Sequence, residues 1–152
     1  MNTLLVILLT INIYVPVVFI DPYMISLLRS NEEQKREVMI YDETLSQVGE
    51  NHACDMRDRN YFSHVSPEGI GPNLRVRNAG IILPTWYSFD SDANQIESIG
   101  IANTVDEMYE IWINSSAHKD HVLGLHPFFA TQTIVGYGVC GRYHVFLSYQ
   151  KE

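Results

Sequence analysis

Three stretches far apart in the chain each offer a side chain able to bind a metal or move a proton, and each is flanked by signals of regular structure. They are Tyr61-Phe62-Ser63-His64-Val65-Ser66-Pro67, Ile96-Glu97-Ser98-Ile99-Gly100 and Trp112-Ile113-Asn114-Ser115-Ser116-Ala117-His118. Imidazoles and carboxylates serve both purposes near neutral pH. Spacing alone does not show whether the three meet. Each also has a plainer reading: His64 follows an aromatic pair at a helix end, where an imidazole favours the helix dipole, and His118 can simply bond a neighbouring loop. Of the other histidines, His52 and His121 read as satisfied structural groups, and His126 and His144 as surface residues. Arg75 is expected to pair with a carboxylate and pin the loop after Pro72.

The elements that must carry these groups are legible in part. Asp21-Pro22 starts a helix running to about Ser30, with a carboxylate cap and a proline in the first turn. Asp42 caps a second, along which Leu45, Val48, His52 and Met56 form one buried stripe ending near Asn60. Ser66-Pro67-Glu68-Gly69 is turn chemistry, and Pro72 with Gly80 brackets a short helix. Residues 83–94 read as irregular. Thr104 with Glu107 makes a capping box, and Val105, Met108, Tyr109 and Trp112 trace the helical face behind it, Tyr109 and Trp112 reading as core. A short helix from Ser115 or Ser116 to Gly124 carries His118. Residues 134–139 and 143–149, rich in β-branched and aromatic side chains around Cys140-Gly141-Arg142, predict an antiparallel hairpin. Helices first and strands last indicate an α+β layered domain.

Composition narrows the function. The chain has 152 residues, 46% hydrophobic against 18% charged, enough for one domain with a sizeable core and too apolar for disorder. Its formal net charge of -8 repels phosphate backbones and anionic lipid heads, so nucleic acid is excluded as a partner. Gly136-Tyr137-Gly138-Val139-Cys140-Gly141 has the spacing of a dinucleotide fingerprint but lies inside the predicted hairpin with no helix after it; its glycines instead suit a close backbone approach. The chain has no Gly-x-Ser-x-Gly elbow, no phosphate-binding P-loop and no His-Glu-x-x-His pair.

Residues 4–20 are apolar but for Thr10, Asn12 and Pro16, which reads as an export segment. Residues 1–20 carry no Lys or Arg, and Val17-Val18-Phe19-Ile20 is a poor cleavage site. Residues 1–21 are therefore expected to be a signal peptide or an uncleaved membrane anchor, with a buried first element as the alternative, and residues 22–152 to be the domain. Export would place Cys54 and Cys140 where pairing is permitted. The sequence leaves their pairing open, and the expectation is against a bridge.

Taken together, the motifs resemble the bacterial, SCP-like branch of the CAP superfamily, which comprises cysteine-rich secretory, antigen 5 and plant pathogenesis-related 1 proteins. The resemblance covers most of residues 22–150. Asp55-Met56, then Tyr61-Phe62-Ser63-His64 and Ser66-Pro67-Glu68-Gly69 match its strongest block. Residues 96–100 resemble the Gly-Glu-Asn-Ile-Ala motif, keeping Glu97 and replacing the asparagine by Ser98. Residues 112–123 resemble Trp-x-x-Ser-x-x-His-Arg-x-Asn-Ile-Leu, with Lys119 for arginine and His121 where asparagine would stand. Val135-Gly136-Tyr137-Gly138 matches the final strand.

The resemblance implies a three-layer αβα sandwich with a small central antiparallel sheet and a cleft holding two histidines and acidic residues, a tetrad that binds zinc in eukaryotic relatives. By position His64, Glu97 and His118 match three members, while Ser115 stands where the second glutamate would. Two imidazoles and a carboxylate suit zinc or another divalent metal with one position open to water. The function implied is an exported or membrane-anchored binding module for a small lipid or other apolar ligand, a peptide or a protein partner, touching a membrane only through its N-terminal segment. The lack of a self-sufficient nucleophile–base pair in the sequence agrees. The alternative is a metal-assisted hydrolase of peptides or esters, in which His64 and His118 hold the ion, Glu97 is third ligand or general base, and Ser98 or Ser115 donates to the oxyanion. A third reading is a structural or interaction domain in which these residues only brace the fold.

Overall fold

The computed structural model describes residues 22–152, and the readings of residues 1–21 lie outside the described residues. In chain order the elements are α1 (Tyr23–Ser30), β1 (Ile40–Tyr41), α2 (Glu43–Asp58), α3 (Pro72–Asn78), β2 (Glu97–Ile101), α4 (Val105–Ile113), α5 (Ser116–Val122), α6 (Pro127–Ala130), β3 (Ile134–Cys140) and β4 (Tyr143–Tyr149). Asp42 caps α2 by accepting from Leu45 N, and Thr104 caps α4 by accepting from Glu107 N. At α1 the cap position is Pro22, with no side-chain bond.

The strands form one sheet in the order β1-β3-β4-β2. The β3–β4 hairpin and the β2–β4 pair are antiparallel, as expected, but the two-residue β1 lies parallel to β3. Because side chains alternate along a strand, each face of the sheet builds its own core. One face packs Leu45, Val48, Ala53 and Met56 of α2 against Ile134, Val145, Leu147 and Tyr149. The other packs Met24, Ile25 and Leu28 of α1, Met108 and Trp112 of α4 and Val122 of α5 against Val135, Tyr137 and Phe146. The result is an α+β, three-layer αβα sandwich. Among the described residues no helix is long and apolar enough to cross a membrane.

The glycines refused as a nucleotide fingerprint explain how α2 lies on the sheet. A Cβ at Gly136 would sit 2.7 Å from Ser46 N, and one at Gly138 would run into the Glu50 backbone, so both glycines let helix and strand backbones touch. This contact brings Cys54 and Cys140 to a Cα–Cα distance of 5.0 Å, and they form a disulfide across 86 positions of sequence. The expectation of unpaired thiols is thereby corrected. The bridge depends on a helix-to-strand approach that cysteine spacing does not reveal. His144 is corrected too: it is buried, with Nδ1 against the Tyr137 hydroxyl and Nε2 against Ala102 O, because it lies in β4 between Gly100 of β2 and Val139 of β3. His126 is exposed as expected and caps α6.

Candidate functional site

The edge strand β2 positions the site. It pairs with β4 on one side only, and its alternation sends Glu97 and Ile99 to the α2 face and Ser98 and Gly100 to the α4–α5 face. The loop after α2 arrives beside it from one face and α5 from the other. His64, Glu97 and His118 thus line one cavity of about 210 Å³, together with Ser98, His121 and Phe129.

Glu97 is fully buried and anchors the charged half. Asn94 fixes its backbone, accepting from Glu97 N at 3.0 Å and donating to Glu97 O at 3.2 Å. Its carboxylate accepts from His64 Nδ1 at 2.9 Å and from Arg75 Nη1 at 2.8 Å. Arg75 also donates to the backbone oxygens of His64 and Ile70, so one guanidinium staples the His64 loop to β2. The carboxylate partner is as expected for Arg75, but the loop it pins lies before Pro72 rather than after it, because the guanidinium reaches back from α3 to the backbone of residues 64 and 70. Because a carboxylate can only accept, the hydrogen of a neutral His64 sits on Nδ1 and its Nε2 carries the lone pair. His52 lies beneath, its Nε2 donating to Ser63 O at 3.1 Å and standing 3.8 Å from Glu97. Burial pushes the pKa of His52 down, against the pull of Glu97, and the ring is neutral at pH 7.

His118 projects from the first turn of α5, half-buried, with Nδ1 2.9 Å from Ser115 Oγ. Burial lowers its pKa, and the nearby His64 lowers it further. Ser115 does not line the cavity; it orients His118. Sequence reasoning gave His121 only a structural place. It lies in the same cavity, wholly buried, and burial with Arg36 close by holds its pKa well below the ordinary imidazole range.

The residues fit a shared metal ion poorly. Both oxygens of Glu97 are bonded, and a full positive charge lies 2.8 Å from the carboxylate that a cation would need. Among the described residues no group of three or more His, Cys, Asp or Glu is arranged to hold a metal. What the arrangement presents is a polar pocket of imidazoles over a carboxylate paired with a guanidinium. Next to it lies a larger apolar groove of about 590 Å³, lined by Phe62, Val65, Ile99, Ile101 and Ile111, which shares His64 and His118 with the pocket. Phe62, Ile101 and Ile111 are 50%, 38% and 43% exposed, a contiguous apolar surface beside a polar hollow.

No family profile matches the chain. Over 112 residues it is 33% identical to the uncharacterized protein YkwD of Bacillus subtilis (strain 168), a match covering 72% of this chain and 39% of that protein. The chain thus spans about two fifths of the curated relative's length. Among solved structures it is similar to an extracellular protein containing a SCP domain from Bacillus anthracis, with a TM-score of 0.60 and 23% identity over 76% of this chain and 35% of that one. It is also similar to an outer surface protein from Borrelia burgdorferi, with a TM-score of 0.59 and 16% identity over 88% and 97% of the two chains. A cysteine-rich secretory protein from Staphylococcus aureus gives a TM-score of 0.58 and 16% identity over 84% of this chain and 38% of that one.

Proposed function

Since the chain carries the bacterial CAP-like fold of these SCP-domain proteins, we propose that it is an extracellular or envelope binding module for a small amphipathic ligand. The apolar chain of the ligand lies in the groove of Phe62, Val65, Ile101 and Ile111, and its polar head meets His64 and His118. The observation that carries this is the adjacency of the two hollows through that histidine pair. The descriptions of the relatives as extracellular or outer-surface proteins support the location, and the Cys54–Cys140 bridge belongs to an oxidising compartment. The metal-assisted hydrolase has less support, because the Glu97 carboxylate is already held by Arg75 and His64.

A second occupant class is favoured by one feature. In the β2–β4 register Ile96 bonds to Ser148 and Ala102 to Arg142, so the backbone groups of the alternate residues Ile99 and Ile101 turn away from β4 toward the groove; Ile99 O accepts there from Trp112 Nε1 at 3.3 Å, which leaves the edge at Ile101. An extended peptide could add a strand there. Native mass spectrometry of the purified chain, followed by titration with fatty acids, lysolipids and extended peptides, separates the two. Saturable binding of a single-chain lipid, weakened by Ile111→Asp, is the expected result. Binding of peptides alone would select the second occupant, and silence across the panel would contradict both.

A further inference from the structure

The cavity contains a second pair of groups that ligand binding does not require. On the face of β2 opposite Glu97, Ser98 Oγ lies 2.7 Å from His121 Nδ1, both residues 3% exposed. The bonds beyond fix the tautomer of the ring. Gln132 donates its amide to Gln95 O at 2.9 Å, which turns its Oε1 toward Ser148. The Ser148 hydroxyl donates to that oxygen at 2.7 Å and accepts from Arg36 Nη2 at 3.2 Å. Ser148 has no second hydrogen, so in its 2.9 Å contact with His121 Nε2 the ring is the donor. Nδ1 therefore carries the lone pair, and Ser98 donates to it. A hydroxyl held against an imidazole lone pair, with the far ring nitrogen fixed by another group, is the arrangement that activates a serine.

We propose that Ser98 and His121 are a nucleophile–base pair opening on the polar cavity, competent for acyl transfer from small carboxylic esters. Ser98 Oγ bonds to the ester carbonyl carbon, its proton passes to His121 Nδ1, and the carbonyl π pair moves onto oxygen. Collapse of this intermediate expels the alcohol oxygen, which takes the proton from His121, leaving acyl-Ser98 and free alcohol. Water then repeats the sequence, releasing the acid and restoring Ser98. His118 lines the same cavity with Nδ1 2.9 Å from Ser115 Oγ; in the tautomer in which that hydroxyl donates, its Nε2–H is the donor available to the developing oxyanion. Burial beside Arg36 keeps the resting ring neutral and opposes the imidazolium that forms on attack. Covalent capture by a strongly electrophilic probe is therefore expected to outrun steady ester turnover.

The test is to incubate the folded chain with a small fluorophosphonate and locate any adduct by intact-mass and peptide mass spectrometry. One adduct is expected, on Ser98, absent from Ser98→Ala and from urea-unfolded chain. His121→Gln should slow its formation by about 100-fold, in line with the loss of a general base, and Ser148→Ala, which removes the partner of the far ring nitrogen together with bonds to Gln132 and Arg36 but leaves Nδ1 in place, should slow it less. The mapping on the unaltered chain does not depend on how well either variant folds. No adduct on the folded chain, an adduct on a different residue, or a labelling rate unchanged by His121→Gln would each overturn the assignment. The readout is the covalent adduct on Ser98 itself, so the result is independent of whether the apolar groove binds lipid.

Discussion

The two faces of strand β2 hold networks of opposite character one residue apart. Glu97 faces a charged network in which a fully buried carboxylate, a guanidinium and two imidazoles join α2, the loop after it, α3 and β2. Ser98 faces a run of serine, imidazole and amide without a carboxylate, with the guanidinium of Arg36 shared between the Ser148 hydroxyl and the backbone oxygens of His121, Val122 and Gln132. Removing one member of a charged network leaves a bare charge in low dielectric, whereas removing one member of a neutral network leaves a dipole unpaired. Stability should therefore be concentrated on the Glu97 side.

The largest effect is expected for Arg75→Ala, which strands Glu97 and releases the His64 loop. Chemical denaturation should show a loss of about 3–5 kcal/mol, and a loss no greater than that of Ser98→Ala would break the contrast between the faces. Next, on the same face, replacing Cys54 and Cys140 together by alanine should cost about 2–4 kcal/mol, because the bridge closes a long loop in the unfolded chain. Ser98→Ala should cost about 1–2 kcal/mol, the scale of a buried neutral hydrogen bond. The smallest effect is that of mild acid. Burial lowers the pKa values of His52, His118, His121 and His144, so the unfolded chain takes up protons first as pH falls through about 6.5. Stability should be fully present above that value and decline as pH drops toward the lowered folded values. Melting curves between pH 7.5 and 5 should show this decline. His121→Gln should flatten it more than His52→Gln, since Glu97 pulls the pKa of His52 back up and no carboxylate does so for His121.

Much of this was legible in the chain itself. The caps at Asp42 and Thr104, the stripe along α2 and the final hairpin follow local rules that hold without tertiary context. The convergence of His64, Glu97 and His118 on one hollow was expected from the motif resemblance, and the structure places them there. Strand β2 was missed because Glu97-Ser98-Ile99-Gly100-Ile101 is short and its edge position breaks the hydrophobic alternation. The disulfide was missed because it depends on Gly136 and Gly138 admitting a helix backbone. The Ser98–His121 pair had one sequence signal, since both residues stand where the resembled motifs carry asparagine. Only the fold shows that the two departures touch.

The central claim is that the polar pocket and the apolar groove form one ligand site joined by His64 and His118. The most direct measurement is a titration of the folded chain with fatty acids of increasing length, followed by the ¹⁵N resonances of the histidine rings. His64 and His118 should shift together and saturate, affinity should rise with chain length, and Ile111→Asp should weaken binding while leaving the free-state ring signals in place. Ring resonances that stay still through saturation, or binding indifferent to Ile111→Asp, would contradict it.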